Sequence, residues 1–233
     1  MAIIDFHSHI LPGIDDGSKN LDTSSEMLQE CAIQKVDIIV ATPHFYADEE
    51  RIDRFLEKRS KAYESLKQIV KDEFPKIVLG AEVAYFPGIS NSEHISQLFI
   101  EGTDILLLEM PFGAWNKSEF LEVKKMIVEN NFQIMLAHLE RFMLVSANKK
   151  YIQELLGLPV IVQFNAESLS NRKSRKMILN SIKAGDTCVL GSDCHDMNHR
   201  KPNLKCGRDV IFNKLGGEAL QQIDIQGLQL LNK

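Results

Sequence analysis

Short apolar runs separated by longer amphipathic stretches set the pattern of the chain. Seven runs read as strands, at residues 3–6, 37–42, 76–83, 104–111, 133–138, 159–165 and 187–191. Each is apolar through its middle and polar at or just past its end, as a parallel strand buried on both faces requires. Between them, apolar residues return at helical spacing. Met27, Leu28, Cys31, Ala32 and Ile33 follow a helix start at 20–24. Ile52, Phe55, Leu56, Tyr63, Leu66, Ile69 and Val70 mark one face of a charged stretch at 48–74. Further helices are expected at 92–101, 117–129, 146–156 and 170–184, with two more beyond Pro202. Strands alternating with helices predict an α/β fold, a parallel sheet covered by helices and curled into a seven-stranded barrel or near-barrel. An open doubly wound sheet is the structural competitor, but no GxGxxG and no P-loop lysine favours it.

The strand ends carry the chemistry. His7, His44, Glu82, Glu109, His138, Asn165 and Asp193 follow one another at intervals of 27 to 38 residues, about one βα unit each. In a closed parallel barrel all strands finish at one rim, so these residues would converge; in an open sheet they would lie along a line. At the first strand, His7 and His9 alternate onto one face, and the turn at Pro12-Gly13 lets Asp15-Asp16 fold back towards them. Five of the seven histidines, His7, His9, His44, His138 and His195, stand at or just past a strand end, joined by Asp16, Glu82, Glu109 and Asp193. Nine such donors exceed what one ion uses, and like-charged carboxylates buried together need cations, so two or three divalent ions are expected. Imidazole and carboxylate without thiolate suit manganese, iron or zinc. Such a cluster activates water at neutral pH and neutralises the oxygens of an ester, which makes hydrolysis the natural reaction. Arg141 and Arg200, on the same rim, are placed to grip a phosphate. Phe45, Tyr46, Tyr85, Phe86, Phe112 and Trp115 fall in rim loops, where they would wall a pocket for a flat group or simply pack the loops.

Composition narrows the reading. The 233 residues suit a single domain spanning 1–233 with a large core. With 44% hydrophobic and 25% charged residues and a net charge of -5, the chain has the balance of a soluble globular protein and no overall attraction for nucleic acid. No long apolar run or signal-peptide pattern follows Met1, so no transmembrane segment and a cytoplasmic location are expected. Cys31, Cys188, Cys194 and Cys206 form no CxxC pair and read as reduced thiols. Cys194 and Arg200 do satisfy Cys-x5-Arg, the spacing of thiol-dependent phosphatases, but the residues between them include no glycine to shape a phosphate cradle.

Together, Asp5-Phe6-His7-Ser8-His9, Asp15-Asp16-Gly17, Thr42-Pro43-His44, Gly80-Ala81-Glu82-Val83, Leu108-Glu109, Ala137-His138-Leu139-Glu140-Arg141 and Gly191-Ser192-Asp193-Cys194-His195 resemble the motifs of the polymerase-and-histidinol-phosphatase superfamily. Within it the chain is similar to the bacterial manganese-dependent tyrosine-protein phosphatases of capsule and exopolysaccharide operons, over about residues 3 to 210. The resemblance implies a distorted seven-stranded barrel with a three-metal site. His7, His9, Glu82 and Asp193 would hold one ion, Glu82, His44 and His138 another, and Asp16, Glu109 and His195 the third. Arg141 matches the family's phosphate-binding arginine, and Arg200 is aligned by spacing. The implied cofactor is Mn2+, and the implied substrate is a phosphotyrosine protein, in particular the tail of a cognate tyrosine autokinase. A small-molecule phosphatase acting on a compound such as histidinol phosphate, a nuclease of similar barrel type and a non-catalytic metal-binding regulator are the alternatives.

Overall fold

The structure, a computed structural model, describes residues 2–232. All pairings between its named strands are parallel. In chain order the strands are β1 (Ile4–Ser8), β2 (Ile38–Ala41), β3 (His44–Phe45), β4 (Lys76–Leu79), β5 (Glu82–Ala84), β6 (Ile105–Glu109), β7 (Gln133–Leu136), β8 (Ile161–Asn165) and β9 (Cys188–Gly191). The helices are α1 (Leu21–Ile33), α2 (Ile52–Lys67), α3 (Lys117–Val128), α4 (Leu139–Met143), α5 (Lys149–Leu156), α6 (Arg172–Ala184), α7 (Leu204–Leu215) and α8 (Gly217–Leu231).

Among the described residues nine strands stand where seven were expected, because the third predicted strand divides in two and a short extra strand, β3, follows the second. The second ends at Thr42-Pro43, where proline has no N–H for a ladder, and β3 begins directly beyond it. The third breaks at Gly80-Ala81, beside it. The breaks divide the strands into a three-stranded sheet, β1-β2-β4, and a six-stranded sheet, β3-β5-β6-β7-β8-β9. Backbone hydrogen bonds carry the three-stranded pairing on into the breaks, from Thr42 N to Ser8 O at 2.8 Å and from Gly80 N to Ala41 O at 2.8 Å. The barrel does not close as one continuous ladder. β9 reaches β1 through a single bridge, Ser8 with Cys194, flanked by His9 N to Cys194 O at 2.9 Å and Asp193 N to His7 O at 2.8 Å. A register irregularity in β1 between Asp5 and Ser8 accompanies this loose join.

Local chemistry sets the helix ends. Asn20 caps α1 by accepting from Thr23 N, and Asn116 and Glu119 form a reciprocal capping box at α3. The stretch 92–101 is not an α-helix; it holds a short 3-10 turn, Ile95–Leu98, after another at Ile89–Asn91. α4, directly after His138, was not expected.

One core, built on Met27, Leu28, Phe55, Leu106, Leu108, Val162 and Leu190 among many others, joins strands and helices. A smaller one gathers Phe6, Val40, Ile105, Leu107, Met135, Ile161, Val189 and Leu230. Ile105 and Leu107 alternate with Glu109 on one face of β6, Ile161 with Gln163 and Asn165 on β8, and Val189 with Asp193 just beyond β9. The same faces that are apolar early in the strands turn polar at their C-terminal ends, so the polar cluster rests on an apolar floor.

Candidate metal centre

Glu82 is the hub. Its side chain is 1% exposed, and its Oε2 lies 3.0 Å from His7 Nε2, 3.3 Å from His9 Nε2 and 3.1 Å from His44 Nδ1. Its Oε1 lies 3.0 Å from His138 Nε2, which is also 3.2 Å from Glu109 Oε1. Asp193 Oδ1 stands 3.6 Å from His7 Nε2 and 3.5 Å from His9 Nε2. Asp16, 69% exposed at the mouth, brings Oδ1 to 3.6 Å from His44 Nε2 and 3.5 Å from His195 Nε2. All nine donors singled out from the sequence thus meet in one connected cluster.

Their grouping departs from the allocation that the resemblance implied. Three sets offer ligand atoms within 4.8 Å of one another: His9, Asp16, His44 and His195; His7, His9 and Glu82; and His44, Glu82 and Glu109. Asp16 therefore keeps company with His195, whereas Glu109 sits with Glu82, His44 and His138. Separate strands explain this: Glu109 closes β6 beside β5 and β7, and Asp16 folds back from the loop after β1.

Electrostatics follow from the packing. Burial alone would raise Glu82, but the imidazoles of His7, His138 and His9 hold it well below the usual carboxylate range. Asp193 is likewise held low against burial by His7 and His9. Burial disfavours a charged His138, yet Glu109 and Glu82 lift it to about 9. Burial, with the charges of His9 and Arg200, pushes His195 down to about 4.

The residues fit divalent cations. His7 Nε2 and His9 Nε2 face each other at 3.2 Å, two ring nitrogens that need a proton or a cation between them. Glu82 Oε2 and His44 Nδ1 are buried with no aligned hydrogen bond. The backbone is also strained here: His138 and Asp193 adopt left-handed conformations, with φ of 33° and 53°. Asp15 orients its neighbours. Its Oδ2 takes His9 Nδ1 at 2.7 Å and His44 N at 3.1 Å, and its Oδ1 takes Gly17 N at 2.9 Å. His195 Nδ1 similarly donates to Asp193 O at 2.9 Å. Their Nε2 atoms are thereby turned to the cluster.

Both predicted arginines arrive at the same carboxylate oxygen. Arg141 Nη2 is 2.8 Å and Arg200 Nη2 2.6 Å from Asp193 Oδ2, and each arginine is about one-third exposed. The thiol alternative fails on position. Cys194 is fully buried in the larger core, and its chain neighbours Asp193 and His195 face the cluster. The rim aromatics sort by burial: Phe45 and Trp115 are core residues, whereas Tyr46 stacks on His44 with ring centroids 5.3 Å apart. Tyr85 donates to Glu122, Phe86 lines a 480 Å³ groove beside β3, and Phe112 is 73% exposed.

Parallel α/β architecture with a histidine-carboxylate cluster at its strand ends defines a metal-binding class of protein. The chain belongs to the capsular polysaccharide synthesis family CpsB/CapC, whose model matches residues 3–231. It is similar to the tyrosine-protein phosphatase CpsB of Streptococcus pneumoniae, with 25% identity over 95% of this chain and 94% of that one. A solved structure from work on Bacillus subtilis YwqE and Streptococcus pneumoniae CpsB, described as unique metal-dependent tyrosine phosphatases, superposes with a TM-score of 0.82 at 21% identity, covering 99% of this chain and 95% of that one. A histidinol phosphate phosphatase of Lactococcus lactis, solved with zinc, L-histidinol and phosphate, shares the fold more distantly, with a TM-score of 0.55 at 13% identity over 91% of this chain and 93% of that one.

Proposed function

We propose that this protein is a metal-dependent protein-tyrosine phosphatase, and that residues 1–233 act as one catalytic domain built on a distorted, incompletely closed barrel. The observation that carries the reading is the convergence of five imidazoles and four carboxylates with two arginines at one mouth. His7, His9, Asp16, His44, Glu82, Glu109, His138, Asp193 and His195 would hold two or three divalent ions, with Mn2+ the proposed occupant. Ions bound there would supply a nucleophile from water at neutral pH and neutralise the phosphoryl oxygens. Arg141 and Arg200 would exchange Asp193 Oδ2 for phosphate oxygens, drawing the monoester into line with the cluster. Phenolate, with a pKa of about 10, leaves without a strong general acid. The proposed substrate is a phosphotyrosine protein, in keeping with the names of the relatives, and the tail of a cognate tyrosine kinase in capsule or exopolysaccharide synthesis is the proposed physiological target. Among the described residues no helix is long and apolar enough to cross a membrane, and a cytoplasmic site of action is proposed.

The test compares rates on a phosphotyrosine peptide, histidinol phosphate and single-stranded DNA, with and without chelator. The expected result is fastest hydrolysis of the peptide, abolished by chelator and restored by Mn2+, with Cys194→Ala retaining most activity. Chelator-resistant hydrolysis that Cys194→Ala destroys would sink the reading, and a clear preference for histidinol phosphate would replace the substrate.

A further inference from the structure

We propose that Gln163 and Asn165, which the ligand set does not include, form a positioning strut on β8 that fixes His7 and Asp193, two proposed ligands of one ion. The inference rests on the metal-site reading above. The two residues are i and i+2 on one strand, so both point to the face that carries the cluster, and both are fully buried.

The hydrogen bonds have forced directions. A backbone N–H can only donate, so the Gln163 atom 2.7 Å from His138 N is its carbonyl oxygen, Oε1. The same Oε1 lies 2.9 Å from His7 Nδ1, so that nitrogen must carry the proton. His7 Nε2 is then the lone-pair nitrogen, and it faces Glu82 Oε2 and Asp193 Oδ1. The amide end of Gln163 donates to Asn165 Oδ1 at 2.9 Å, which obliges Asn165 Nδ2 to donate to Asp193 Oδ2 at 2.7 Å. With Oδ2 engaged, Oδ1 is left towards His7 and His9. When the arginines move to phosphate, Asn165 remains on Oδ2, so the ligand keeps its orientation as substrate binds.

Two further features make room for the strut and extend it. A Cβ on Gly191 would fall 2.5 Å from His7 Cβ and 2.7 Å from Gln163 Nε2, so only glycine permits this approach. The bond from His138 N also ties Gln163 to one of the cluster's two left-handed residues, His138 and Asp193. Residues that orient metal ligands in this way change metal affinity by roughly 10- to 100-fold when removed.

The test uses protein loaded with diamagnetic Zn2+ for histidine 15N NMR, and Mn2+ titration calorimetry alongside thermal melts for Gln163→Leu and Asn165→Ala. In the wild type, His7 should carry its proton on Nδ1. Folded Gln163→Leu should lose the hydrogen bond to that Nδ1 proton, read as its faster exchange with solvent, and bind Mn2+ roughly 10- to 100-fold more weakly. Asn165→Ala should weaken Mn2+ binding by about tenfold while leaving the His7 signature in place. A His7 proton on Nε2 in the wild type, or Asn165→Ala with unchanged affinity, overturns the strut even if Gln163→Leu does not fold. Wild-type protein that binds no Mn2+ at all would defeat the metal-site reading instead.

Discussion

Glu82→Gln is the substitution that separates a metal hub from an ordinary buried ion cluster. The amide keeps the size and one acceptor of the carboxylate but removes its charge and turns an N–H2 towards imidazoles. Four ring nitrogens lie 3.0 to 3.3 Å from the two carboxylate oxygens. Charge-assisted contacts contribute about 1.5–3 kcal/mol each, and contacts sharing one group are not additive. Counting one independent contact per oxygen gives about 3–6 kcal/mol, or roughly two to four orders of magnitude in metal affinity. Calorimetric titration of chelator-treated protein with Mn2+ reads the affinity, and kcat/KM on a phosphotyrosine peptide should fall with it. Far-UV circular dichroism checks that the variant is folded. A folded Glu82→Gln protein that binds as many ions as the wild type, with affinity within tenfold, would refute the hub.

Other expectations follow from the same geometry. Arg141→Ala and Arg200→Ala should each lower kcat/KM by roughly 10- to 100-fold through loss of a charged phosphate contact, and lysine should restore only part of it; unchanged kinetics in either would remove that arginine from the site. Burial would raise Asp15, but the His9 ring and the N–H groups of Gly17 and His44 outweigh it and hold the carboxyl at about 2. In chelated protein this contributes on the order of 2 kcal/mol above the unfolded value of 3.8, lost as pH falls through about 2. Asp15→Asn should therefore be less stable at pH 7, with the gap narrowing from pH 4 to pH 2; a gap independent of pH in denaturant melts would contradict this. Phe112 sits on a loop braced by Asn148, which accepts from Trp115 N at 2.8 Å and donates to Gly113 O at 2.9 Å. It packs 6.0 Å from Phe142, itself 5.8 Å from His138. Phe112→Ala should lower kcat/KM for aryl phosphates several-fold more than for phosphoserine, and an equal effect on both would show that the ring does not meet the substrate.

Much of the site was legible because its spacing is set by the fold. One polar residue per βα unit, from His7 through Asp193, is visible in the sequence, and the parallel strands bring those residues to one end. What escaped were features decided in three dimensions. Thr42-Pro43 ends a strand as expected, but two residues of new strand stand directly beyond it. The stretch 92–101 has apolar residues at plausible helical positions, but its turns tighten to 3-10 geometry. Ligand sharing depends on which strands are neighbours, so Glu109 could be recognised as a donor while its companions could not. Gln163 was passed over as an interior strand residue, although its alternation with Asn165 in an otherwise apolar strand was a readable signal.

The most direct measurement is metal analysis of protein purified without chelator, followed by stepwise reconstitution of chelated protein with Mn2+ while phosphotyrosine hydrolysis is recorded. Activity should appear only as two to three ions per chain are bound. Full activity with fewer than two ions per chain, or activity that survives their complete removal, would contradict the shared metal cluster.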